Sequence, residues 1–183
     1  MAKLILNGST SGSVTLESPA VSGTTTLTLP TTSGTVLTSA SNTGFPAGSI
    51  LQVVQATYST ATSTTSATFT DSGLSASITP SSSSNTILII VNQHIRVNKA
   101  TDCGYGFRLV RGSTAIFTRD DGSTAAYLTA SDLRFPNTMV YLDSPSSTSS
   151  TTYKTQINSY NSSTVNAQHS SIPSTITLME IKG

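Results

Sequence analysis

The sequence predicts an all-β protein, an antiparallel jelly-roll sandwich preceded by a short, extended, glycine-punctuated β strip. Roughly a third of its residues are Ser or Thr. β-Branched Thr suits a pleated surface, while Ser competes with a helix for backbone hydrogen bonds. No segment sustains a helical period, and from Ser49 onward short apolar runs recur between turn signals, the pattern of a sandwich, jelly roll or barrel. The opening differs: Gly12, Gly23 and Gly34, with Pro19 and Pro30 between them, recur every eleven residues.

Residues 1–44 form that strip. Its runs VTLES, TTLTLP and GTVLT place Val14, Leu16, Leu27, Leu29, Val36 and Leu37 at regular positions. A strand or hairpin this thin is marginal in water by itself. Identical strips from neighbouring chains would supply the missing cover, as stacked repeats do. The Gly- and Pro-containing segment at 45–48, inside SASNTGFPAG, reads as a linker, and residues 49–183 as the jelly roll.

Within the jelly roll, SILQVVQATYS is a strand and SATFTDSGLSASITP reads as two short strands about a DSG turn. TILIIVNQHIRVN puts Ile87, Ile89, Val91, Ile95 and Val97 on one face, interrupted by Gln93, with one end buried on both sides. GYGFRLVRGSTAIFTRDDGSTAAYLT reads as a hairpin with turns at RGST and DDGS. Strands follow at TMVYLD, TTYKTQINSY and STITLMEIK. A domain of this length buries a usable core.

Composition excludes several functions. With 9% charged residues and a formal net charge of +1, the chain lacks the clustered Lys and Arg that nucleic acid requires. The opening MAKLILNGSTSG is too short in apolar residues for a signal peptide or a membrane span, so synthesis in a cytoplasm is expected, with no membrane partner. A single cysteine, Cys103, leaves no internal disulfide and no Cys-based zinc site.

Residues able to do chemistry are few. His94, His169 and Cys103 are the only members of a conceivable Cys–His pair, but His94 sits beside Arg96 on a polar strand face. Asp120, Asp121 and Asp132 have ligand chemistry for calcium, but Asp-Asp-Gly is first of all a hairpin turn. The expectation is no enzyme, no cofactor and no metal. The better functional lead is the set Tyr105, Tyr127, Phe135, Tyr141 and Tyr160, near turns or in Asn/Ser-rich stretches, as surface or subunit contacts. Gln93, Gln156 and Asn158 are candidates to pair across chains at a symmetry axis.

The pattern G-x-VTL-x-x-P, then G-x-TTLTLP, then GTVLT resembles the N-terminal repeats of bacteriophage tail-fibre and head-fibre proteins. The sandwich closed by STITLMEIKG after TTYKTQIN is similar to the trimeric, tumour-necrosis-factor-like jelly-roll heads of phage virion proteins. The resemblance implies a homotrimeric, non-enzymatic component of the virion surface, anchored to capsid or tail proteins through its N-terminal strip. A strip of this length reaches at most ~140 Å, which favours a capsid decoration (cement) protein or short head fibre. The alternative is a tail fibre or receptor-binding protein that recognises a host-surface glycan.

Overall fold

The most apolar segment of the sequence forms one thirteen-residue strand, β6 (Thr86–Asn98), and the larger part of the molecule is arranged around it. The computed structural model describes residues 3–17, 23–24, 26, 31–33, 45–98, 103–119 and 132–183. Two compact units divide the chain, Met1–Val36 and Leu37–Gly183.

In the first unit, β1 (Lys3–Asn7) and β2 (Ser13–Glu17) form an antiparallel hairpin. The Gly8 amide donates to the Gly12 carbonyl at 2.9 Å to close its turn, and Gly12 supplies a φ of 76°. β2 falls on the VTLES run of the strip, and its partner β1 lies ahead of the eleven-residue repeats.

In the second unit, eight long strands carry the fold: β3 (Ile50–Tyr58), β5 (Thr70–Ile78), β6, β7 (Gly104–Arg111), β8 (Thr114–Arg119), β9 (Leu133–Asp143), β10 (Thr151–Tyr160) and β12 (Ser174–Ile181). One sheet runs β9-β6-β12-β3; the short strands β11 (Thr164–Ala167) and β4 (Thr62–Thr64) continue it beside the second half of β6. The other runs β5-β10-β7-β8. Among these eight, the first pairs with the last, the second with the seventh, the third with the sixth and the fourth with the fifth. Successive pairs alternate between sheets, which is a long folded ribbon rolled into a jelly roll.

The core lies between the sheets. Ile87, Ile89, Val91, Ile95 and Val97 of β6 are all buried against Leu74, Phe107, Leu109, Tyr153, Ile157, Ile176 and Leu178. Each such side chain contributes roughly 1.5–3 kcal/mol by leaving water. Strict alternation along β6 corrects one expectation. Leu88 and Ile90 are only half-buried, so the apolar end of this strand is not buried on both sides but presents a second apolar face outward.

DSG is not a turn. Residues 70–78 form one continuous strand, and the register against β10 slips between Lys154 and Gln156. That β-bulge is made possible by Gly73 at φ 88°, where the Tyr58 ring occupies the space a Cβ would take. Pro136 stands in β9, which pairs only with β6 among the described strands, an edge position that tolerates a missing amide hydrogen.

Candidate functional site

The surfaces left uncovered by this packing set what the molecule can do. On the β1–β2 hairpin, Leu4 lies opposite Leu16 and Leu6 opposite Val14, so all four share one face. They are 53–61% exposed. Their neighbours Ile5 and Thr15 point the other way. An isolated two-stranded hairpin with such a face gains little by folding alone.

The two outer faces of the jelly roll differ in kind. Across β9-β6-β12-β3 one outward row reads Leu142, Leu88, Met179, Val53, and the next Val140, Ile90, Thr177, Gln55. Val53, Val140 and Leu142 are each more than half exposed. Farther along β6 the same face turns polar, with Asn92, His94 and Arg96. Arg96 and Arg134 are direct cross-strand partners, and Asp132 bridges them at 2.8 and 2.9 Å. Those two guanidinium hydrogen bonds hold the Asp132 carboxyl well below the usual range. Burial, then His169 and Arg134, lowers the pKa of His94.

The outer face of β5-β10-β7-β8 is polar instead. Arg108 lies 4.2 Å over the Phe69 ring and donates to Gln156 at 2.6 Å. Gln156 and Lys154 both donate to Asp71, and these bonds, Lys154 first, lower its pKa. Ser75 and Ser77 continue this face, exposed.

Two buried carboxylates close one end of the sandwich. Glu180 accepts from Gln52 Nε2 (2.6 Å), the Ser81 amide (2.6 Å) and hydroxyl (2.8 Å), and Asn85 Nδ2 (2.6 Å). Burial pushes its pKa up, but those donors together outweigh burial and leave it below the ordinary value. Asp143 accepts from Arg111 Nη1 at 2.9 Å and from the Tyr153 hydroxyl at 2.7 Å. Burial and that bond raise the Tyr153 pKa.

Several sequence expectations meet this geometry. Val14 and Leu16 lie on the hairpin's apolar face; Leu27, Leu29, Val36, Leu37, Tyr127, Asp120, Asp121 and the DDGS turn lie outside the described residues. Tyr105 is a core residue rather than a surface contact, 5% exposed and 5.4 Å from Phe135, and burial pushes its hydroxyl up to about 12. Tyr141 packs on Phe117 at 5.9 Å. These two ring pairs join β7 and β8 to β9 across the sandwich. Tyr160 is the exposed one among the described members of the set.

The amides also pair within the chain. Gln93 is buried between the sheets; with the Gln168 amide turned to satisfy its neighbours, the Gln168 oxygen accepts from Gln93 Nε2 at 2.8 Å. Asn158 accepts from the Gly106 amide and donates to the Ala67 carbonyl. Cys103 belongs to the hydrophobic core. Among the described residues no three His, Cys, Asp or Glu side chains gather as a metal site, and no helix is long and apolar enough to cross a membrane.

No protein-family model matches the sequence, and no curated protein matches it. Solved structures similar to it include dimeric latent PorU from Porphyromonas gingivalis, 10% identical, with a TM-score of 0.35, covering 76% of this chain and 14% of that one. The T=1 particles derived from infectious bursal disease virus are 15% identical, with a TM-score of 0.37, over 81% of this chain and 41% of that one. The Gx strain of the same virus is 16% identical, with a TM-score of 0.36, over 74% and 38%. The chain thus spans less than half of each of these proteins. The jelly-roll assignment rests on the strand order itself.

Proposed function

We propose that the protein is a non-enzymatic structural component of a bacteriophage virion, a homotrimeric capsid decoration protein or short head fibre. Residues 1–44 hold it to the particle, and the jelly roll is displayed on the surface. The observation that carries this reading is the β1–β2 hairpin, whose four apolar side chains on one face are each more than half exposed. Such an element is stabilised by what it adheres to, either copies of itself or a capsid protein. The jelly roll has a hydrophobic core of its own between its two sheets and forms the displayed head.

The test uses the full chain and its Leu4→Asp/Leu16→Asp variant with capsids that lack the protein. The expected result is a trimer by light scattering that co-sediments with capsids, and a folded variant that does not. A wild-type chain that ignores capsids but adheres to host cells overturns the decoration reading. It supports instead a receptor-binding role, for which the row Asp71, Gln156 and Arg108 offers both donors and acceptors to sugar hydroxyls.

A further inference from the structure

We infer that the outward face of the β9-β6-β12-β3 sheet is the surface through which the jelly roll packs on a second copy of this chain. This rests on the self-association reading above and names the face that performs it. The two sheets share one core yet end in opposite outer surfaces. One carries Asp71, Lys154, Gln156, Ser75 and Ser77, as a solvated face should. The other carries Val53, Leu88, Val140, Leu142 and Met179 in continuous contact order across all four strands. Alternation would place polar residues there if the face met only water.

The occupant follows from size and charge. β12, and through it β3, flanks β6 over Thr86–Asn92; four strands at ~4.8 Å spacing and seven residues at ~3.4 Å give a face of roughly 450 Å². That is somewhat over half of the ~800 Å² per partner of a stable interface. Its apolar half carries no charged side chain, and charge-depleted, apolar contacts are those of permanent homomeric assemblies. A second copy brings the same composition. Val140 and Leu142 lie on β9, whose one partner among the described strands is β6, so the apolar half reaches the edge of the described sheet.

The test compares masses of full-length proteins by sedimentation equilibrium, with circular dichroism and urea unfolding as checks on folding. Leu142→Glu and Val53→Lys place charges at sites more than half exposed in one copy, where a single chain tolerates them. Ser77→Lys on the opposite sheet is the control, and Leu16→Asp probes the hairpin. The expected result is an oligomeric wild type, a fall to single-chain mass in both sheet variants with β content retained, and no change in Ser77→Lys. Sheet variants that keep the wild-type mass overturn the inference; if Leu16→Asp alone then dissociates, the broader self-association reading stands and the contact belongs to the hairpin. A wild type of single-chain mass overturns both. A wild type of single-chain mass whose binding to capsids is lost in Leu142→Glu assigns the face to a capsid protein and overturns the copy-to-copy contact.

Discussion

Asp143 and Glu180 are both cross-strand partners of Ile87, one on each side of β6. The row therefore places two buried carboxylates about two strand spacings apart, roughly 10 Å, with a fully buried isoleucine between them. They are satisfied by unlike means. Asp143 has a guanidinium and a phenol; Glu180 has amide and hydroxyl donors from β3, the 81–85 loop and the backbone. Asp143 ties β9 to β7 and β10 of the facing sheet, Glu180 ties β12 to β3 and the 81–85 loop, and neither resembles an acid–base pair open to substrate.

Glu180→Gln exchanges an acceptor-only group for one that sets an NH2 against donors. We expect a loss of about 2–3 kcal/mol, the worth of hydrogen bonds to a charged group, measured by urea unfolding at neutral pH.

The same carboxylate gives a pH signature. Its pKa in the folded protein lies below the ordinary 4.5, so the folded state favours the charged form. That stabilisation is present above about pH 4.5 and is lost as pH falls through the lower folded value. Unfolding free energy in wild type should therefore drop below that pH, and the Glu180→Gln protein should show a shallower drop. Equal slopes would refute the assignment.

Gly73→Ala meets two separate obstacles. A positive φ is unfavourable for any Cβ-bearing residue, by roughly 1–2 kcal/mol, and the Tyr58 ring fills the space required, adding about 1–3 kcal/mol of overpacking. Shortening Tyr58 to Ser in the Gly73→Ala background should relieve the second and not the first. Thermal unfolding of the two singles and the double separates them.

Asp132→Asn leaves Arg96 and Arg134 opposed across β6 and β9 without their bridge. Like charges directly opposite on a sheet are destabilising, and solvent screens them here. The melting temperature should fall in low salt and recover in high salt; a deficit that ignores salt would point to lost packing instead.

The sequence made some of this plain and hid the rest for identifiable reasons. TTYKTQINSY coincides with β10, because its alternation runs uninterrupted between turn residues. The sequence DSG carries the signature of a turn, and only pairing with β10 reveals a bulge. Leu4 and Leu6 acquire meaning through register with Leu16 and Val14, which is tertiary information. The position of Tyr105 was in principle legible: it shares a period of two with Phe107 and Leu109, both fully buried. The apolar outer face was not, since Leu88, Val140, Met179 and Val53 come from four distant segments and become neighbours only when the ribbon is rolled.

That rolled order also sets a sequence of events in time. Arg111 pairs with Thr114 across Gly112, whereas Ile50 pairs with Ile181. The innermost pair closes over a few residues; the outermost must bring together nearly the two ends of the domain, and closure entropy and slow folding both grow with that separation. A nascent chain on the ribosome can zip β7 to β8 early, but β3 waits with its apolar side chains uncovered until β12 has emerged. Cover for β3 is thereby postponed until β12 has been made, and a chain truncated before Ser174 leaves that strand without its partner.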